Sequence, residues 1–334
     1  MVGEEFDAAV IGAGLSGLIA ARRLSQEGLR VAIFERQADV GGRLATHNVG
    51  HGWADSGAQF FTVRTPEFGR VVEQWLEAGL VFEWSRGWSD GSLSDTVPDG
   101  YPRYAARDGF ANLAAYLARN LTVYPSFHVE SLSIQGGRWV INNSVNSPAT
   151  QARTCLLTVP APLALPMLTK GGIVLPDDEQ QALDSIRYGP CLCGLFAVTG
   201  RWELPAPGAY QRPGAAISWV ADNHRKGVSG DSRTLTVHAG PAASQAYWQL
   251  GDEEILGWMW DEIRQWARGD WRMLAGRLVR WLHAVPLSTH PDRYLLSASD
   301  PLLLFAGDAF NGPRVEGAAL SGLAAAQALL RKIS

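Results

Sequence analysis

Cysteine is scarce. Three occur in 334 residues, at Cys155, Cys191 and Cys193. An odd, sparse set argues against a disulfide framework and fits a reducing compartment. Cys191 and Cys193 would share one face of a strand, where they read as small core fillers rather than a redox or metal pair. Basic charge is not in excess either: 29 Lys and Arg stand against 33 acidic residues, a net charge of −4, and no stretch concentrates cations. Binding to nucleic acid or to an anionic membrane therefore has no electrostatic support. No uninterrupted apolar run approaches the ~20 residues of a membrane span. The opening Met-Val-Gly-Glu-Glu is acidic and short, unlike a secretory n-region or an Arg-rich transit peptide. These absences give the expectation of a cytoplasmic protein. His47 and His51 are four apart, but Gly50 and Gly52 oppose a helix there, so no metal site is expected.

A hydrophobic fraction of 46% is enough for a full core. Phe6–Ile11 reads as a strand, Leu15–Glu27 as a helix ended near Gly28, and Leu29–Phe34 as a second, doubly buried strand. Thr65-Pro66 places a cap and a proline before Phe68, Val71, Val72, Trp75 and Leu76, an amphipathic spacing. Residues 85–103 read as loop or short edge strands. Phe110, Leu113, Ala114 and Leu117 mark another helix. Alternation from Leu121 to Asn142 predicts a small antiparallel meander. Thr154–Pro160 reads as a buried strand. Eight of the 13 tryptophans fall between Trp202 and Trp281. Asp252 is expected to cap a helix with Ile255, Leu256, Met259, Ile263 and Trp266 on one face. Leu302–Ala306 and Gly317–Leu330 read as a last strand and a last helix.

The strongest motif is Gly12-Ala-Gly14-Leu-Ser-Gly17, which follows a strand and opens a helix. Gly12 permits the tight turn, Gly14 lets a pyrophosphate approach the backbone, and Gly17 lets helix and strand pack closely. The helix N-terminus offers unpaired N–H groups and partial positive charge to phosphate. Glu35 ends the second strand, 18 residues after Gly17, where a carboxylate accepts from a ribose diol and repels a 2′-phosphate. Val40-Gly41-Gly42-Arg43 adds a second close backbone approach and a cation.

Gly12 to Arg43 resembles the FAD-binding start of the amine oxidase superfamily of flavoproteins. Leu303-Leu-Phe-Ala-Gly307-Asp308 and Val315-Glu316-Gly317-Ala318-Ala319 resemble its C-terminal flavin-binding block. Further blocks are similar to renalase and the bacterial renalase-like flavoproteins: Asp55-Ser-Gly-Ala-Gln-Phe-Phe-Thr-Val-Arg64, Trp219-Val-Ala-Asp-Asn223-His-Arg-Lys226, Arg280-Trp281-Leu-His283 and Gly307–Gly317. The resemblance implies FAD contacts at Gly12, Gly14, Leu15, Ser16, Gly17, Glu35, Arg36, Gly42, Arg43, Gln59, Val129, Gly307, Asp308, Glu316, Gly317 and Ala318. An aromatic-walled pocket suits a flat ring stacked on the flavin; the candidates for its walls are Phe60, Trp219 and Trp281, with Gln59 and His283 as polar orienters and Arg64, Asn223, Lys226 and Arg314 as candidate substrate contacts. No cysteine follows Cys193, so the FAD is expected to be noncovalent.

The resemblance implies oxidation of 1,2- or 1,6-dihydro-NAD(P) isomers to NAD(P)+ by hydride transfer to flavin N5, with O2 giving H2O2. The partners are then a dihydronicotinamide dinucleotide and O2, with no nucleic acid and no membrane. Three other readings stay open: a flavin amine oxidase, a desaturase-type oxidoreductase, and a non-catalytic flavin-binding module. The expected fold is α/β, with a Rossmann-like FAD-binding domain on a parallel central sheet (residues 1–60, 104–160 and 291–334). An α+β substrate domain, with a mixed or antiparallel sheet flanked by helices, takes residues 61–103 and 161–290. Ligands are expected at the domain interface.

Overall fold

A computed structural model describes residues 4–90, 98–143, 150–200, 204–264 and 270–333. Packing divides the chain into two compact units. The first comprises Met1–Gly42, Ala114–Arg187 and Pro286–Ser334, and the second Arg43–Leu113 and Tyr188–Val285.

The first unit is built on a mostly parallel sheet. Glu5–Ile11 lies at its centre, parallel to Val31–Phe34 on one side and Thr150–Leu157 on the other. Thr122–Tyr124 extends one edge in parallel, and Leu303–Phe305 the other. The central strands are buried along nearly their whole length, with apolar side chains on both faces. The expected strand–helix–strand opening is present, with its helix at Leu15–Gln26.

The expected meander is altered. Val129–Gln135 and Arg138–Asn143 form an antiparallel hairpin, but Thr122–Tyr124 pairs in parallel with Val31–Phe34. Alternation marked these residues as strand, and it carries no information on the partner.

Leu15–Gln26 packs against the C-terminal helix Val315–Ile333 at very short range. A Cβ on Gly322 would meet the Ser16 carbonyl oxygen at 2.2 Å. Gly17 answers the same need toward the sheet, since a Cβ there would lie 2.1 Å from the Gly12 carbonyl oxygen. Only glycine permits either approach.

The second unit carries an antiparallel sheet in the order Ala209–Gln211, Ile217–Asp222, Thr234–Ala239, Arg187–Gly200, Trp271–Ser288. The unit also holds two separate two-stranded hairpins, Thr46–Val49 with Gly52–Asp55 and Val81–Ser85 with Arg103–Ala106. The helix Pro66–Glu77 forms as its sequence expects, with the Thr65 hydroxyl accepting from the Phe68 N–H. Asp252 is the first residue of the helix Asp252–Arg264, in its first turn, and the Glu254 carboxylate instead accepts the Gly251 N–H. Ile255, Met259 and Ile263 are buried in the core of this unit, as their spacing requires. Trp266 lies outside the described residues.

The packing boundaries differ from the expected domain boundaries. Residues 161–187 pack in the first unit. There Gly171 lies against the Leu132 carbonyl, and the buried Glu179 carboxylate accepts from the Ser297 hydroxyl at 2.6 Å and the Ala298 N–H at 2.7 Å. Residues 43–60 and 104–113 pack in the second unit, where Asp55 accepts the Phe110 N–H. Side-chain contacts far apart in sequence set these boundaries, and composition does not report them. Among the described residues no helix is long and apolar enough to cross a membrane.

The Gly322 contact yields a test. Gly322→Ala should lower unfolding stability by about 1–3 kcal/mol, the cost of overpacking a close interface, measured by thermal or urea denaturation. A neutral effect would mean that the two helices do not approach this closely.

Candidate functional site

Two constellations stand out, one in each unit. In the first unit, Gly12 adopts φ +104°, a turn that glycine makes without strain. The turn is pinned from behind: the Thr158 hydroxyl lies 2.9 Å from the Gly12 carbonyl oxygen and 3.0 Å from that of Ile11. Gly14 is the N-cap of Leu15–Gln26, and no side chain caps that helix. A Cβ at Gly14 would meet nothing within 4 Å, so the space in front of it is open. The second glycine run lies against the first, with the Gly41 N–H donating to the Ala13 carbonyl at 2.8 Å and Gly14 bridging to Gly41. Buried beside this opening, the Ser16 hydroxyl has no partner among the described residues.

Glu35 is buried at the end of its strand. One carboxylate oxygen accepts the Ala13 N–H and the other the Gln37 N–H, both at 2.8 Å. Its orientation is fixed, and lone pairs remain for a ribose diol. Leu15 is buried at the same helix start, and Val129 is buried at the head of its hairpin strand. Arg36 is exposed.

The C-terminal block belongs to the same unit. The Gly307 N–H donates to the Ser321 hydroxyl at 2.8 Å, which in turn donates to the Arg293 carbonyl at 2.6 Å. Asp308 follows on the turn. Glu316 is buried in the first turn of Val315–Ile333, next to Gly317. The Arg314 carbonyl accepts the Ala318 N–H, closing that turn.

This unit therefore offers two helix N-termini, an open backbone cradle, an unpartnered buried hydroxyl and an oriented carboxylate. Those are the groups that a dinucleotide's pyrophosphate and ribose require, so the residues present fit FAD.

In the second unit the loop Asp55–Gln59 is anchored from all sides. Asp55 is fully buried. One of its oxygens accepts from the Thr46 hydroxyl at 2.6 Å and the Phe110 N–H at 2.9 Å; the other faces the Lys226 ammonium at 2.7 Å. Burial pulls Lys226 below its ordinary range, and the Asp55 carboxylate opposes that shift. The ammonium also lies 5.2 Å from the Trp84 ring centre and 5.4 Å from that of Phe110. Gln59 lies beside the pair, with its Nε2 donating to the carbonyls of Asp55 at 2.7 Å and Gly57 at 3.2 Å and its Oε1 3.5 Å from Lys226. The Ser56 carbonyl accepts from Trp281 Nε1 at 3.0 Å and His238 Nε2 at 3.1 Å.

On this loop stands a cavity of about 270 Å³ lined by Gly57, Gln59, Phe60, Gln211, Pro213, Ser218, Trp219 and His238. Phe60 and Trp219 form an aromatic wall with ring centres 5.3 Å apart, backed by Trp84 and Trp88. The indole N–H groups of Trp84, Trp88 and Trp219 are buried without partners among the described residues.

The structure brings three of the expected pocket residues together: Gln59, Phe60 and Trp219. It corrects others. Trp281 is not a wall of this cavity; its indole supports the loop from behind and packs with Val49, Cys193 and Leu195. The His283 ring packs edge-on against Tyr188, and its carbonyl accepts from Arg43. Arg43 donates to the carbonyls of His283 and Ala284 within the second unit, whereas Gly42 belongs to the first. Arg64 lies over the Tyr101 ring.

Asn223 and Lys226 are buried as scaffold. Asn223 accepts the Asp55 N–H and donates to Thr236 and to the Thr234 carbonyl. Its amide is committed within the protein, so the expected substrate contact has no free group to use.

Sequence reasoning missed His238. A lone histidine in an alternating strand carries no local signal, and its importance comes from register: it lies opposite Trp219 across the sheet. Burial first, and then the nearby Lys226 charge, hold its pKa down at about 4, against the pull of the Ser56 carbonyl. The ring is therefore neutral at pH 7.

Two family models match the chain. An NAD(P)-binding Rossmann-like domain covers residues 10–75, and a flavin containing amine oxidoreductase covers residues 89–330. Among curated proteins, the L-amino-acid oxidase of Echis ocellatus is 39% identical over 89 residues, which is 25% of this chain and 17% of that protein. The protoporphyrinogen oxidase 2 of Arabidopsis thaliana is 44% identical over 66 residues, 20% of this chain and 13% of that protein. The match thus spans less than a fifth of the length of these relatives. A coproporphyrinogen III oxidase of Mycobacterium bovis is 25% identical over 94% of this chain and 69% of its own length. Among solved structures, putrescine oxidase superposes with a TM-score of 0.71 at 16% identity, covering 98% of this chain and 100% of that one. Cyclohexylamine oxidase from Brevibacterium oxydans gives 0.71 at 14% identity, covering 98% and 99%. These likenesses share the fold.

The depressed His238 pKa has a sign that can be checked. The unfolded imidazole takes up its proton near its ordinary value of about 6.5, the native one only near 4. Between those values the unfolded state binds more protons, so native stability falls as pH falls. Wild type should lose its stability advantage over His238→Asn between pH 6.5 and 4, read as the difference in their Tm values. A difference that stays constant over this range would contradict the neutral ring.

Proposed function

We propose that this chain, which belongs to the flavin containing amine oxidoreductase family, oxidises dihydronicotinamide isomers (1,2- or 1,6-dihydro-NAD(P)) to NAD(P)+. The chain is an FAD-dependent oxidoreductase. The observation that carries the substrate assignment is the charge of the cavity. None of its described lining residues is acidic, and its one titratable lining group, His238, is neutral at pH 7. A protonated amine would bring a localised ammonium charge with no carboxylate to meet it, which is costly, whereas the charge of the product pyridinium is spread over a ring that the aromatic wall can face. A flat, uncharged dihydropyridine ring meets what it needs, an aromatic surface and neutral polar groups.

FAD, bound in the first unit, would supply the hydride acceptor and, with O2 and one proton, the route to H2O2. The remaining work falls to the protein. Gly12, Gly14, Ser16, Gly17 and Gly42 hold the pyrophosphate, and Glu35 orients the ribose. Gly307, Asp308, Glu316 and Gly317 would offer polar groups and a helix N-terminus to the flavin, where partial positive charge would favour an anion. Phe60 and Trp219 hold the substrate ring flat, and orientation of this kind is most of what direct hydride transfer asks of a protein. No general base is required, and none of the described lining residues is a carboxylate or a lysine. Phe60 and Trp219 touch each other, so they leave no slot between them in which an amine could be sandwiched.

Anaerobic mixing of the FAD-loaded protein with 1,2- and 1,6-dihydro-NAD(P) in a stopped-flow instrument tests the assignment. The flavin band should bleach rapidly, with one NAD(P)+ formed per flavin. A flavin that stays oxidised with these isomers but bleaches with putrescine or cyclohexylamine would replace the assignment with amine oxidation.

A further inference from the structure

We infer that His238 is the specificity-determining residue of the second-unit cavity, accepting through Nδ1 an N–H of the substrate's primary carboxamide. The inference rests on the dihydronicotinamide reading and adds a recognition element to it. The argument starts from the Ser56 carbonyl. A carbonyl oxygen only accepts, and His238 Nε2 lies 3.1 Å from it, so Nε2 carries the proton. Trp281, a donor with no alternative role, shares that carbonyl at 3.0 Å. In the neutral ring Nδ1 is then a lone-pair acceptor, and among the described residues it has no hydrogen-bond partner. His238 lines the cavity.

The other polar wall residue that sequence analysis selected cannot take this part. Both Nε2 hydrogens of Gln59 go to backbone carbonyls, and its Oε1 faces the Lys226 ammonium. His238 is thus a fixed acceptor in a cavity otherwise lined by apolar, amide and hydroxyl groups.

Trp219 sits directly opposite His238 between Ile217–Asp222 and Thr234–Ala239 and lines the same cavity. Its indole N–H is enclosed by protein, so the recognition element is the Nδ1 lone pair, which matches the NH2 of a primary carboxamide. A ring carrying a carboxylate would place an anion against the Nδ1 lone pair. A ring carrying a methyl ketone would leave that lone pair without a donor from the ligand.

The test uses the FAD-loaded full chain and two probes, NAD+ and its 3-acetylpyridine analogue. They share ring, carbonyl and dinucleotide, and differ only in NH2 against CH3. Equilibrium binding should favour NAD+ by about three- to tenfold in wild type, the worth of one hydrogen bond. His238→Phe should bind both probes within about twofold, and His238→Asn, which keeps an acceptor near the Nδ1 position, should restore part of the preference. Should the Phe variant fail to fold, 15N spectra of the wild-type imidazole give the same information: the Nδ1 resonance should move with NAD+ and not with the analogue.

A preference that survives in His238→Phe, or an Nδ1 resonance that responds equally to both probes, overturns the inference. A wild type that is reduced by dihydronicotinamides yet shows no preference overturns the His238 role alone. A wild type that binds neither probe and is not reduced by dihydronicotinamides overturns the substrate reading and the His238 role together.

Discussion

The second unit is organised around one buried ion pair. Asp55 and Lys226 are 171 residues apart in sequence, fully enclosed, and 2.7 Å from each other. Removing two charges from water costs several kcal/mol each, and only very good geometry repays it. That geometry is present, because the Thr46 hydroxyl, the Phe110 N–H and the Lys226 ammonium together satisfy both Asp55 oxygens. The pair fixes the start of the loop that runs to Gln59, and the loop fixes the rest. Gln59 is oriented by the carbonyls of that loop and by Lys226. Ser56 presents its carbonyl to His238 and Trp281. The Asp55 carbonyl is held by the Thr236 hydroxyl at 2.7 Å, which ties the loop to the same strand that carries His238. A cavity with one neutral acceptor and one aromatic wall is therefore built on a charged foundation that a ligand never needs to touch.

The first unit depends on a different constraint, the close approach of backbone to backbone. Gly17 against the Gly12 carbonyl and Gly322 against the Ser16 carbonyl bring sheet and helices together where no side chain fits. The consequence is a helix N-terminus left uncapped by side chains, with open space at Gly14 and an unpartnered Ser16 hydroxyl. Family membership, together with the groups present here, supports FAD as the cofactor of this arrangement. The proposed dihydronicotinamide chemistry rests on the cavity's aromatic wall and on the absence of acidic groups among its described lining residues.

The cradle was legible in the sequence because its logic is local. The glycines, the strand before them, the helix after them and Glu35 fall within about 30 residues, and each has a conformational reason visible one residue at a time. The Thr65 cap and the buried stripe Ile255, Met259, Ile263 were legible for the same reason. What could not be read was decided by pairing across long separations. Trp281 and His283 carry motif resemblance, yet the strand geometry turns one toward the Ser56 carbonyl and the other against Tyr188. Asn223 and Lys226 are polar residues in a turn, which reads as exposed until the Gly52–Asp55 strand is seen to cover them. His238 is one residue of an alternating strand, and only its placement opposite Trp219 gives it a role.

The central claim is that the Asp55–Lys226 pair holds the second unit's loop as a single charged unit. A double-mutant cycle on unfolding free energy with Asp55→Asn and Lys226→Met measures this directly. Each single change leaves one uncompensated buried group and should cost about 3–5 kcal/mol, while the double variant should cost much less than their sum, a coupling of about 2 kcal/mol or more. Additive losses would show that the two charges stabilise the fold independently, and would contradict the account.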